Sequence, residues 1–186
     1  ILTYDLLPKL MQSKDPRIVD VSSGGMYTQK LNIPILLNGF DKHDGMKSYA
    51  QTKRAQVVLC QVWANKLKEY DFSHNCMHPG WVKTPGVENS MPKFFNFFED
   101  ILREPHEGSD TAVWLAAGKS VKGSSGQLFF DREKRKQYLL PATKESKKVR
   151  KELWDVCLKI AKKHATDNNS LSAKLLKESE NDYDFY

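Results

Sequence analysis

Tyr49 and Lys53 stand four residues apart in SYAQTKRAQVVLCQVWANKL, residues 48 to 67. On a helix that spacing puts a phenol and an ammonium on one face, one turn apart. A phenol ionises near pH ~10, too high to trade protons at neutrality. A nearby ammonium favours the phenolate and tunes the group toward use as a general acid or base. The spacing alone is weak evidence, because a buried tyrosine beside a lysine whose stem lies along apolar surface gives the same pattern.

Two other segments bring polar groups to the ends of strands. RIVDVSS, 17 to 23, carries near-continuous β-branched residues and ends in Ser22 and Ser23 before Gly24 and Gly25. Such a run suits a strand covered on both faces of a parallel sheet. DFSHNCMHPG, 71 to 80, reads as a second strand that leaves through Pro79 and Gly80 into a loop carrying Thr84. In open α/β sheets, ligands bind beyond the carboxyl ends of strands, where both segments end.

The elements that would position these groups alternate. Strands are expected near 17–22, 72–78 and 126–131, parallel and adjacent, with helices at about 47–69, 92–104, 106–118 and 143–165. ILTYDLLPKLMQ, 1 to 12, reads as the last turns of a helix already under way, so the chain is expected to be a piece of a longer protein. Residues 26–46 and 81–90 show no period and read as loops. Helix 47–69 is apolar nearly all round. Val57, Cys60, Ala64 and Leu67 continue the face of Tyr49 and Lys53, and Val58, Leu59, Val62 and Trp63 form the other side; one side would lie on the sheet and the other on a second helix or on a partner subunit, which allows a homodimer through this helix. Along helix 143–165 the apolar side is Val149, Leu153, Val156, Cys157 and Ile160.

Taken in order, VSSGG, YAQTK and HPGWVKTPG resemble the catalytic serine, Y-x-x-x-K and P-G-x-x-x-T segments of the short-chain dehydrogenase/reductase family. The resemblance covers about residues 1 to 131. It implies an α/β fold, a partial Rossmann-like doubly wound parallel sheet with its amino-terminal half missing and helices on both faces. Residues 1–142 would be the carboxyl-terminal part of that domain, and 143–186 a basic helix with an acidic tail. It implies a catalytic set of Ser23, Tyr49 and Lys53. Tyr49 would exchange the proton at the substrate oxygen, Lys53 would assist it and bind the nicotinamide ribose, and Ser23 would polarise the carbonyl, with Ser22 structural. Pro79, Gly80, Val82 and Thr84 would line the nicotinamide. The cofactor would be NAD or NADP, with NADP slightly favoured. The activity would be hydride transfer between that cofactor and an alcohol or carbonyl substrate, and the aromatic run Phe94, Phe95, Phe97 and Phe98 allows a lipophilic one. The chain departs from the family in three ways. None of its ten glycines forms the glycine-rich cofactor turn, the family's Asn-Ala-Gly segment and tetrad asparagine are absent and are expected upstream of Ile1, and Asp20 stands where the family often has asparagine. The alternative is a catalytically silent domain kept for binding a partner.

Bulk properties narrow the classes. The 186 residues are 40% hydrophobic and 28% charged, a globular composition. No apolar run reaches the roughly 18 residues of a membrane span. Cys60, Cys76 and Cys157 are too few and too widely spaced for a disulfide framework, which suits an intracellular, reducing compartment. The formal net charge is +6, and residues 132 to 163 hold twelve lysines and arginines against four acids. Its helix, 143–165, has no series of aromatics interleaved for base stacking and reads as a solvated helix face rather than a nucleic-acid surface. His74, Cys76 and His78 alternate along one strand and could suggest zinc, but no fourth ligand is evident, so no metal is expected. Asn168 opens an N-glycosylation pattern, read as chance.

Overall fold

The computed structural model describes residues 1–40, 42 and 44–164; the acidic tail and Asn168 lie outside them. At its centre β1 (Arg17–Val21), β2 (Ser73–Met77) and β3 (Leu128–Phe130) run parallel and side by side, with Val21 opposite Met77 and Cys76 opposite Leu128. All three expected strands form, in the expected order. A fourth strand, β4 (Glu133–Arg135), pairs antiparallel with β3 and was not expected. Its three residues are charged and exposed, so it carries no hydrophobic alternation to read. Charge also blunts an edge strand against pairing with other chains. The β3–β4 turn holds Asp131 and Arg132 at φ of 53° and 57°. Two successive positive φ values match the twist of a tight hairpin.

Helices cover both faces. α1 (Leu2–Leu10) buries Tyr4 and Leu7. α2 (Ile33–Asn38) and α4 (Pro85–Ser90) lie in stretches expected to be loops. Each begins at a polar cap, Asn32 or Thr84, whose side chain accepts a backbone N–H, with proline in the first turn. Six residues are too few to show a period. α3 (Gly45–Lys66) is the long helix expected at 47–69, capped by Asp44. α5 (Pro92–Phe98) and α6 (Pro105–Ala117) follow, and α7 (Lys147–His164) ends the described chain.

On one face of the sheet, Cys76 and Leu128 pack against Val57 and Cys60 of α3. On the other, Met77 and Phe129 pack against Leu115 of α6, with Val19 alongside. The second side of α3 meets a helix: Val58, Val62 and Trp63 share a buried cluster with Leu153, Trp154 and Ala161 of α7 and with Tyr4 and Leu7 of α1. Trp63 and Trp154 meet edge to face at 4.9 Å. Ile160, expected in the apolar stripe of α7, is largely exposed, and Trp154 and Ala161 carry that contact instead. No helix among the described residues is long and apolar enough to cross a membrane.

Candidate active site

α3 presses its first turns against the carboxyl end of β1, and two hydrogen bonds fix it there. Ser22, almost fully buried, donates its hydroxyl to the Lys53 carbonyl at 2.9 Å. The Lys53 ammonium donates to the Val21 carbonyl at 3.0 Å. The same ammonium lies 5.5 Å from the centroid of the Tyr49 ring. Tyr49 itself is about half exposed, at 51%. The helix face that opens with a phenol and an ammonium is therefore a rim and not a buried stripe; burial begins with Ala50 and Gln51.

Ser23 follows directly and faces a different task from Ser22. It caps a short 3-10 turn over Gly24–Thr28, its Oγ accepting from the Gly25 N–H at 3.2 Å. Gly24 lies against the exit of β2: a methyl there would meet His78 Nδ1 at 3.8 Å. The loops leaving β1 and β2 thus touch beyond the carboxyl edge of the sheet.

The exit of β2 carries Pro79, Gly80, Val82 and Thr84. Gly80 has φ of +77°, and a Cβ there would sit 3.0 Å from Arg103 Nε and 3.1 Å from Phe130, so the sharp exit requires glycine on both counts. Val82 is buried and bridges Arg103 through the backbone. Thr84 accepts the Val87 N–H at 3.3 Å and starts α4. The loop is pinned from behind by Arg103, which forms a two-pronged pair with Asp131, 2.7 Å on one limb, and lies over the Phe130 ring at 4.5 Å. The hydrogen bond from Arg103, assisted by its charge, holds the Asp131 carboxyl below its usual range.

His78 was read only as a possible metal ligand. It stacks flat on Phe130, with centroids 4.3 Å apart, and meets Tyr27 edge-on. Burial lowers its pKa, so the ring is neutral at physiological pH. β2 ends at Met77, so His78 leaves the strand and does not converge with His74 and Cys76. His74 instead meets Asp20 of β1, Nε2 to Oδ2 at 2.8 Å. Sequence reasoning missed that pair because it joins strands 54 residues apart.

It also missed a buried charge cluster one residue from Lys53. Arg54 pairs with Glu145 at 3.1 Å, donates to the Gln137 carbonyl at 2.6 Å, and lies over the Tyr138 ring at 4.2 Å. Arg150 of α7 reaches the other Glu145 oxygen at 2.7 Å, and the Tyr138 hydroxyl donates there too. Arg150 belongs to the basic run read as solvated, yet it is buried.

The aromatic run forms a surface cluster. Phe94 contacts Trp81 at 4.5 Å and Phe98 at 4.7 Å between ring centroids, and Phe97 is 80% exposed.

No family model matches the chain. Among curated proteins it is 44% identical over 153 residues to dehydrogenase/reductase SDR family member 12 of Homo sapiens, covering 82% of this chain and 48% of that one. It is 31% identical over 162 residues to retinol dehydrogenase 14 of Mus musculus, covering 84% and 47%. The chain therefore spans about half the length of the curated relatives it matches. Among solved structures it superposes on a short chain dehydrogenase from Salmonella enterica serovar Typhi with a TM-score of 0.54 at 23% identity, covering 69% of this chain and 46% of that one. A 3-oxoacyl-[acyl-carrier protein] reductase from Brucella melitensis gives 0.50 at 23% identity, covering 68% and 44%. The structural likeness establishes the fold. Joined to the identity with the curated relatives and to the order of the three motifs, it places this chain in the short-chain dehydrogenase/reductase family.

Proposed function

We propose that this chain supplies the substrate-facing half of an NAD(P)-dependent oxidoreductase site acting on an alcohol or carbonyl. The observation that carries the reading is the position of Lys53, held between the Val21 carbonyl and the Tyr49 ring at the carboxyl edge of the sheet. An ammonium has three donors. One serves Val21; the others suit a ribose hydroxyl and the phenol oxygen. Tyr49, on the exposed rim, exchanges the proton at the substrate oxygen, and Ser23 donates a hydrogen bond to the same oxygen.

The residues present fit the nicotinamide end of such a cofactor. Pro79, Gly80 and Val82 form a rigid wall braced by Arg103, and Thr84 offers a hydroxyl at the head of α4. When bound, the cofactor supplies the hydride. The pyrophosphate end is another matter, since none of the ten glycines makes the turn that cradles phosphates. We assign that end to the part of the protein that corresponds to the unmatched half of the relatives. The cluster around Phe94 and Phe97 supports a lipophilic substrate, in keeping with the name of the retinol dehydrogenase relatives.

The test is Tyr49→Phe in the complete protein, which keeps the ring and removes the transferable proton. Carbonyl-dependent oxidation of NADPH or NADH should fall by roughly 10²- to 10⁴-fold with cofactor affinity nearly unchanged, whereas Lys53→Met should weaken both. Near-full turnover by Tyr49→Phe rejects the mechanism and favours the silent binding domain.

A further inference from the structure

Beneath the catalytic rim, on the face of the sheet that meets α3, four metal-ligating side chains converge from three elements. Asp20 comes from β1, His74 and Cys76 from β2, and Cys60 from α3. His74 Nε2 lies 2.8 Å from Asp20 Oδ2, and Cys76 Sγ lies 4.0 Å from the same oxygen. The donor atoms of Asp20, Cys60 and His74 all fall within 4.8 Å of one another. Cys60 Sγ donates to the His74 carbonyl at 3.2 Å and Cys76 Sγ to the Gln56 carbonyl at 3.8 Å. Cys60, His74 and Cys76 are essentially inaccessible, whereas the Asp20 side chain retains 28% of its exposure.

The geometry points to a tetrahedral site for a thiolate-seeking divalent cation, zinc above all, built from Asp20, Cys60, His74 and Cys76. Bonds of about 2.3 Å to sulfur and about 2.0 Å to nitrogen or oxygen put tetrahedral donors roughly 3.3 to 3.8 Å apart. The Asp20–His74 and Asp20–Cys76 distances of 2.8 and 4.0 Å lie on either side of that range, and Cys76, outside the 4.8 Å group, turns its Sγ toward the other donors to complete the site. Two thiolates, an imidazole and a carboxylate select zinc over magnesium or calcium, which prefer all-oxygen shells. Binding releases the two thiol protons to solvent and replaces the Asp20–His74 hydrogen bond with two metal bonds. A way in exists: a cavity of about 260 Å³ is lined by Asp20, Gln56, His74, Leu59, Trp63 and Trp154. With four protein donors no position is left for substrate. The ion would thus be structural and would tie β1, β2 and α3 together below Tyr49 and Lys53. Neither hydride transfer nor the catalytic assignment above enters this argument.

The experiment uses this chain, stripped with a chelator and titrated with Co(II), whose tetrahedral thiolate complexes absorb strongly in the visible and near ultraviolet. A single equivalent should give the cobalt–thiolate spectrum, zinc should displace it, and zinc should raise the unfolding temperature. Asp20→Asn and Cys76→Ser should each weaken cobalt binding beyond the roughly 10- to 100-fold that losing an outer-shell partner costs. Cys157→Ser, outside the cluster, should leave it unchanged. Asp20 lies at the cavity rim, so Asp20→Asn reads the ligand role even if a buried cysteine variant misfolds. Absence of a thiolate spectrum in the parent chain overturns the site. So does a spectrum that survives Asp20→Asn at full affinity, or one lost in Cys157→Ser.

Discussion

Replacing Glu145 with glutamine changes almost no volume and removes one charge from the most enclosed ionic cluster described in the protein. The Glu145, Arg54 and Arg150 side chains are 0%, 1% and 4% exposed. Glutamine can still accept one hydrogen bond, but the carboxylate that both guanidiniums share is gone. Removing one partner of a buried pair costs about 3 to 5 kcal/mol, because the remaining charge is left uncompensated. For a domain of this size each kcal/mol is roughly 2 to 4 °C in melting temperature, so Glu145→Gln should melt about 6 to 20 °C lower. The pH dependence gives a second reading. Burial alone would raise the Glu145 pKa, but the Arg54 charge and the Tyr138 hydroxyl outweigh it, so the folded value lies below the ordinary 4.5. A carboxylate depressed on folding stabilises fully above its unfolded pKa, and that stability is lost as pH falls through the folded one. Urea unfolding should therefore show the widest gap between parent and variant near neutrality, and the gap should narrow below pH 4.5. A gap under ~1 kcal/mol at pH 7, or one that holds constant into acid, refutes the argument. Replacing all three ionic groups with apolar residues should recover much of the loss.

Two further outcomes separate packing from chemistry. Ser22→Ala should cost about 1 kcal/mol in denaturant unfolding, by removing the buried bond to the Lys53 carbonyl; Ser23→Ala should leave stability within about 0.5 kcal/mol of the parent and abolish most turnover in the complete protein. Gly108→Ala places a Cβ 2.5 Å from Val82 Cγ2, so despite alanine's better helix propensity it should destabilise by ~1 to 2 kcal/mol, and Val82→Ala in the same chain should restore stability.

How far these features could be read from sequence depended on their range. β1 is a β-branched run ended by Ser-Ser-Gly-Gly, β2 leaves through Pro79 and Gly80, β3 is a short apolar run just after Gly126, and α3 is long enough for its pattern to be plain, so strand order and helix placement followed from local signals. Tyr49 and Lys53 are legible for the same reason: both lie on one helix, at a spacing with a fixed geometric meaning. What stayed hidden is either too short or too distant. β4 is three charged residues, and α2 and α4 are six residues each. The Asp20–His74 pair and the Arg54–Glu145 pair span 54 and 91 residues, and no local rule matches such partners. Reading residues 132 to 163 as a solvated basic face failed at Arg150 because Glu145 is itself enclosed by Arg54, 91 residues away. The anion that allows an arginine to be buried there, Glu145, stands five residues earlier, outside the first turn of α7.

Lys53 and Arg54 are neighbours on α3, and a helix turns about 100° between them. Lys53 therefore points to the carboxyl end of β1, while Arg54 points to Gln137, Glu145 and Tyr138, beside the helix that closes the described chain. Ser22 holds the Lys53 carbonyl between the two. A rotation of α3 that carried the ammonium away from Tyr49 would have to break the Val21 and Ser22 bonds on one side and strip Arg54 from its buried carboxylate on the other. The segment from Gln137 to α7 thus reaches the rim through one arginine without contributing a group to the chemistry. Substitutions on its side of α3 should register first as lost stability, and those on the Lys53 side as lost turnover. Arg54→Met and Lys53→Met are adjacent in sequence, yet they should fail in different assays.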